Sequence, residues 1–238
     1  MTGLLSGHIT QADIMQFLVR MFIILLILPL HEFAHAWTAH KLGDDTASYQ
    51  GRLTLNPLAH VDPIGALLLL LTGFGWAKPV PIDPTRFNRK HSIRFGMAVT
   101  AAAGPISNLL AAAVGMIVMR FYTISSIYQQ YLHDYISLEA VSNAPEIAYN
   151  FIYYFVIINI GLAVFNLIPV PPLDGSKIIG YVTPVSVDRW FARNQQIVRI
   201  VFLVLVFTGL LGYPLSWLST QVYRFLYWAT NWIPFFFG

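Results

Sequence analysis

The chain has 238 residues, of which 56% are hydrophobic and only 11% charged, less than half the share of about 25% carried by ordinary soluble proteins. A soluble domain of this length would lack the charge to cover its surface, so the expected fold class is an all-α, polytopic transmembrane helix bundle. The net charge of +3 is modest, with basic residues gathered in particular loops, which gives no support to a nucleic-acid partner; the absence of cysteine excludes disulfides, thiolate catalysis and sulfur ligation of a metal.

The first twelve residues, MTGLLSGHITQA, lack the positive n-region and small-residue cleavage site of a secretory signal. The apolar stretch that follows therefore reads as a retained helix, from about Ile14 to Leu42, with Gly43 and the pair Asp44 and Asp45 ending it. The next apolar stretch, DPIGALLLLLTGFGW at 62–76, has an uncharged core of roughly a dozen residues, short of the ~20 that a spanning helix needs. It predicts a re-entrant or interfacial segment. From Gly75 the chain reads GWAKPVPIDPTRF, where Pro79, Pro81 and Pro84 exclude helix and central strand but tolerate an extended edge. A span at 95–119 follows, bracketed by Arg94 and Arg120, with a kink expected at Gly104-Pro105 and enough Ala and Gly to admit a close neighbour. A polar connection at 121–146 leads to a further span from about Ile147 to Ile168, which stops at PVPPLDG. Two more apolar runs, about 197–212 and 215–236, are separated by Gly212-Tyr213-Pro214 and predict a helical hairpin. Residues 1–238 thus read as one membrane-embedded domain, a core at 14–180 followed by a hairpin at 197–236, with no internal repeat or low-complexity linker.

Loop charge sets an expected topology, because cytoplasmic loops carry the excess of Lys and Arg. Lys78, Arg86, Arg89, Lys90 and Arg94 lie in 75–94, and Lys177, Arg189, Arg193 and Arg199 in 170–199, whereas 121–146 holds none. The first two segments are expected inside and the third outside, with the N-terminus also outside. The C-terminal end of the first helix and PVPPLDG can then meet at one depth if 62–76 only dips into the membrane.

Into this lipid-suited setting the chain places PLHEFAHAWTAH at 29–40. An ionisable group at membrane depth is costly unless it is paired, ligated or wet, so such a cluster marks a functional site. His31 and His35 stand four residues apart and share one helix face, a spacing that grips a single zinc ion. Glu32 can lean toward a metal-bound water as general base, while zinc lowers that water's pKa from about 15.7 toward about 7. The bland alternative is a solvated helix end with incidental His and Glu. A catalytic zinc wants a third protein ligand, and Asp174, in NLIPVPPLDG at the end of an apolar span, is the best-placed carboxylate. Asp174 could equally cap the helix that begins near Gly175, and the two roles are compatible. His40 falls more than two turns after His31 and reads as interfacial; His8, His60, His91 and His133 sit in or near loops.

HEFAH on the first helix together with NLIPVPPLDG after a later one resembles the site-2 protease family of intramembrane zinc metalloproteases, in which HExxH and an N-x-x-P-x-x-P-x-D-G motif build one site from two helices. GRLTLNPLAHVDPIG at 51–65 and GFGWAKPVPI at 73–82 also resemble the compact bacterial and archaeal members, so the likeness covers most of the chain. It implies His31, His35 and Asp174 as ligands of Zn2+ and Glu32 as the base. It further implies Asn166 as a donor to substrate backbone or oxyanion, against the alternative of a buried Asn bonded within its helix. Asn108, in GPISN, resembles a second family position facing the active site, against an interhelical hydrogen bond. No PDZ-like insertion or appended regulatory domain is evident.

The expected function is intramembrane proteolysis of membrane-protein substrates at a multi-pass plasma-membrane enzyme, its site toward the cytoplasm and its partners transmembrane segments and lipid. Asn108, Asn159 and Asn166 would help to line a wet pocket, and the stretch at 76–84 could offer an unpaired edge to an unwound substrate. A zinc-binding scaffold without hydrolytic activity would instead close the metal with four protein ligands. A metal transporter would string ionisable residues across the membrane. The reading requires that Asp174 reach the same point in space as His31 and His35.

Overall fold

The computed structural model describes residues 11–72, 75–88, 90–136 and 143–237. His8 and the ends of the chain lie outside them. Within them the chain is helical, with no strand and one isolated antiparallel bridge between Val61 and Ala77.

The first helix is α1 (Gln11–Phe22), a π-helical turn at Ile23–Ile27, and α2 (Leu28–Lys41), joined without a break. It ends as the sequence suggests, at Gly43, whose φ of 101° suits a residue without Cβ. Asp44 then turns inward: fully buried, its carboxylate accepts from Thr46 N (3.0 Å) and Asp83 N (2.7 Å) and so ties the helix end to a distant loop. Short helices α3 (Thr46–Tyr49) and α4 (Pro57–His60) lead to α5 (Pro63–Thr72). Asp62 opens α5 by accepting from Gly65 N at 2.8 Å. Its 10 residues make about 15 Å of helix, half of a hydrocarbon core of ~30 Å. A segment too short to cross is what residues 62–76 imply.

The proline-rich stretch forms neither helix nor strand apart from the bridge at Ala77 and a 3₁₀ turn at Pro84–Arg86, and it is pinned at both ends. Lys78 N donates to His60 O (2.9 Å) and Asn88 N to Leu42 O (2.7 Å). Buried Arg52 donates to the carbonyls of Ala59, Lys78 (2.6 Å) and Pro79 (3.0 Å).

Next comes α6 (Ile93–Ile124), opened by Ser92 Oγ accepting from Phe95 N (3.2 Å) and continuous through Pro105. At 32 residues it is about 48 Å long and overruns the expected span. A further helix, α7 (Ser126–Ile136), occupies ground that the sequence reading gave to a polar connection. That reading fails because Tyr122, Tyr128, Tyr131 and Tyr149 pack ring to ring and give the segment an apolar side. The later span is α8 (Ala144–Asn166), followed by the turn at PVPPLDG with a cis Pro171-Pro172 bond, α9 (Asp174–Val182), α10 (Val185–Arg193), α11 (Gln195–Phe207), α12 (Gly212–Ala229) and α13 (Trp232–Phe237). Among the described residues three helices are long and apolar enough to cross a membrane: Phe17–Lys41, Ile93–Ile124 and Ala144–Asn166. The pair α10 and α11, bent by 81°, supplies a fourth if it counts as one span.

Helix α6 is the hub of this bundle, packing against α2, α8 and α9. Ala112, Met116 and Met119 on α6 meet Val156, Ile160 and Val164 on α8, and α12 closes over them with Leu215, Val222 and Leu226. The C-terminal runs expected as a hairpin are α11 and α12, of which α12 lies mainly along α8.

Candidate active site

The i, i+4 spacing on α2 turns His31 and His35 toward α6. Their Nε2 atoms lie 3.0 Å apart, and each is 3.2 Å from one oxygen, Oδ2 of Asp174. All three residues are buried, and their ligand atoms fall within 4.8 Å of one another. Among the described residues this is the one His/Asp/Glu group that could hold a metal ion. Asp174 reaches it from the first position of α9, where Leu173 rather than Asp174 is the N-cap, and its Oδ2 faces the two imidazoles.

The far side of each imidazole fixes its proton. His35 Nδ1 is 2.7 Å from the carbonyl of Thr100, which can only accept, so Nδ1 carries the hydrogen and Nε2 is a bare lone pair. For His31 two amides stand between Nδ1 and the carbonyl that fixes its proton. The Phe155 carbonyl accepts from Asn159 Nδ2 (2.8 Å), leaving Asn159 Oδ1 to accept from Asn108 Nδ2 (2.9 Å) and Asn108 Oδ1 to accept from His31 Nδ1 (2.6 Å). Two imidazole lone pairs and a carboxylate oxygen thus converge at 3.0–3.2 Å, a repulsive arrangement unless a cation or a proton stands among them. Two His and one Asp are a donor set that zinc accepts, with a position left for water or substrate. With a proton in that place, burial pushes the Asp174 carboxyl up, but hydrogen bonds from His31 and His35 outweigh it and hold it well below the usual carboxylate range.

Gly104 explains why α6 can pass so close. A Cβ built there would lie 2.6 Å from His31 Nε2 and closer still to His35 Nε2, so any side chain would occupy the space in front of the lone pairs. This is the close approach that the Ala- and Gly-rich span suggests, at one specific residue. The other support, the Thr100 carbonyl behind His35, carries no side-chain signal at all.

Beside the cluster is a cavity of about 160 Å³, lined by Glu32, Val80, Asn166 and Lys177 as well as by His31, His35 and Asp174. Glu32 accepts from Val80 N at 3.1 Å, which holds its carboxylate against the extended stretch. Asn166 donates one amide hydrogen to Leu162 O (3.0 Å), within its own helix, and keeps the other for the cavity it lines. Asn108 departs from the expected substrate contact. It is fully buried, and both ends of its amide are taken by His31 and Asn159; it stands behind a ligand rather than beside a substrate. Asn159, expected on the pocket wall, is likewise fully buried behind Asn108. His40 pairs with Asp45 at the surface, and His60 is buried with Nε2 against Thr54 O at 2.7 Å, both far from the cluster in role.

Apolar helices long enough for a bilayer, carrying a buried two-His, one-Asp centre with a glutamate next to the first histidine, define the class: an intramembrane zinc metalloprotease. The chain belongs to peptidase family M50, the site-2 protease family, whose model matches residues 19–209. It is 40% identical over 186 residues to the candidate zinc metalloprotease YwhC of Bacillus subtilis (strain 168), covering 78% of each chain. It is 26% identical over 206 residues to the candidate zinc metalloprotease Rip2 of Mycolicibacterium smegmatis, covering 84% of this chain and 70% of that one. Rip2 of Mycobacterium tuberculosis (strain H37Rv) is 26% identical over 204 residues, 84% of this chain and 69% of that one. No solved structure matches the chain significantly.

Proposed function

We propose that this zinc metalloprotease cuts peptide bonds in or near transmembrane segments of membrane proteins, at a site toward the cytoplasmic face of the plasma membrane. His31, His35 and Asp174 hold the zinc in this reading, Glu32 is the general base, and Asn166 serves the substrate. Zinc bound there supplies Lewis acidity toward the scissile carbonyl and a water acidic enough to deprotonate near neutral pH. Glu32 accepts the proton of the attacking water and returns it to the leaving amine. The free amide hydrogen of Asn166 is available to an oxygen that gains charge in the transition state.

A substrate helix satisfies its amides internally and must unwind before it can be cut. The stretch Val80–Ile82 suits an unwound segment by strand addition: its carbonyls carry no intramolecular hydrogen bond among the described residues, and Val80 and Ile82 line the catalytic cavity. One observation carries the protease reading over a closed structural zinc site. Among the described residues the cluster offers three protein ligands, not four, and opens on a cavity that Glu32 also lines.

The test is Glu32→Gln, assayed beside the native protein on a model single-pass substrate with zinc content measured for both. Zinc should be retained and cleavage should fall by about 10²–10⁴-fold. Equal cleavage by the two proteins removes Glu32 as the base, and a chelator that leaves cleavage intact removes the metal.

A further inference from the structure

Lys177 follows Asp174 by three residues on α9, so the two side chains project from one face of that helix. Asp174 enters the cluster, and Lys177 lines the same catalytic cavity, whose wall has no other Lys or Arg among the described residues. Lys177 also lines a second cavity of about 300 Å³, walled by Ile93, Met97, Pro171 and Phe191 and bordered by Arg94. Met97 is shared by both cavities as well, so the two spaces adjoin across Met97 and Lys177.

The two cations at this junction differ in what they are free to do. Arg94 is committed to structure: it donates to the carbonyls of Gly180 and Thr183 (2.7 Å) and pairs with Asp188 Oδ2 (2.9 Å). Lys177 is exposed and makes no hydrogen bond or ion pair among the described residues. Charge bookkeeping adds to this. With zinc held, its two positive charges are balanced by Asp174 and Glu32, and Lys177 leaves the cavity wall net positive. An uncommitted ammonium beside the reacting bond attracts an anion, and in a polypeptide substrate that anion is a carboxylate.

We infer that Lys177 is a specificity-determining residue that binds a carboxylate of the polypeptide next to the scissile bond, while the adjoining cavity receives the flanking apolar side chain. This rests on the protease reading above. The carboxylate has two sources: an Asp or Glu side chain of the intact substrate, or the terminal carboxylate that cleavage creates on the amino-terminal product.

The test uses the full chain, a cleavable single-pass substrate and a mapped cut position. Substrates carrying Asp or Asn at successive positions around the cut are compared by kcat/KM in the native protein, Lys177→Ala, Lys177→Glu and Lys177→Arg, with zinc content measured in each. Product peptides ending in an acid or an amide are compared as inhibitors of the same four proteins. A side-chain role predicts that at one position native enzyme prefers Asp over Asn about fivefold, the size of one partly exposed ion pair. That preference should vanish in Lys177→Ala, invert in Lys177→Glu and return in Lys177→Arg. A product role predicts instead that the acid inhibits the native protein and Lys177→Arg more than the amide does, with the difference lost in Lys177→Ala. Native cleavage with neither preference dependent on Lys177, at equal zinc content, overturns the inference and leaves the protease reading standing. Absence of cleavage by the native protein overturns both.

Discussion

The proton on His31 Nδ1 is set by the Phe155 carbonyl, two amides away, because a carbonyl can only accept and each Asn between them passes that constraint along. Asn108 and Asn159 therefore orient His31 from behind, out of reach of the face that Nε2 turns to Asp174. We expect Asn108→Leu to weaken zinc binding by about 10–100-fold, the usual effect of removing a partner behind a metal-ligating His, while Asn108→Asp, which keeps an acceptor toward Nδ1 but turns a second carboxylate oxygen on Asn159 Oδ1, recovers only part of the affinity. Competition with a fluorescent chelator measures both, and unchanged affinity in Asn108→Leu would show that His31 is oriented by packing alone. The residues that form the cluster were legible in the sequence, since each is a ligand type at a telling spacing or at the end of an apolar span. Their support was less so. Thr100 contributes only its backbone, and Gly104 contributes an absence, the missing Cβ that lets α6 approach the Nε2 atoms.

Among the elements, three arginines share one task that no motif announces. Arg20 donates to Leu70 O (2.6 Å) near the end of α5, Arg94 to Gly180 and Thr183 at the end of α9, and Arg120 to Tyr227 O (2.7 Å) at the end of α12. A cation at a helix C-terminus meets the negative end of the helix dipole and its orphan carbonyls, which in a membrane have little water to turn to. Arg120 is the buried case, with its guanidinium 3.4 Å over the Tyr227 ring and Nε 3.3 Å from Thr230 Oγ1. Replacing it by Met frees those acceptors and should cost about 1–3 kcal/mol of stability. The latch joins α12 to the end of α6 remote from Gly104, so zinc affinity should hold. Thermal unfolding in detergent and a zinc titration separate the two effects; loss of zinc with no loss of stability would contradict this division. The length of the uncharged runs marks the apolar spans because hydrocarbon imposes it, whereas α7 has no such run: an amphipathic helix faced with tyrosines resembles a polar connection until its rings are seen to stack.

Across the whole molecule, the side-chain register fixes how the long helices run. His35 meets Thr100 while His31, one turn earlier on α2, meets Asn108 further along α6, so these two helices are antiparallel. On the other side of α6, Asn108 meets Asn159 while Gly115 lies against Phe155 and Val156, so α8 is antiparallel to α6 as well. The ends at Lys41, Ile93 and Asn166 therefore share one face of the bundle, and the metal cluster lies toward that face. We propose that this face meets the cytoplasm, because residues 75–94 carry five Lys and Arg, against none in 121–146, and positive loops are retained on the cytoplasmic side. The chain's lack of cysteine makes this directly measurable. Ser126→Cys and Arg189→Cys, both at exposed positions, should react differently with a membrane-impermeant maleimide applied to intact cells. Ser126→Cys should label at once, and Arg189→Cys only after the membrane is opened. The reverse pattern would place the catalytic cavity on the outer face and move its substrates' cut sites there with it, because the antiparallel register leaves α2, α6 and α8 no freedom to invert separately.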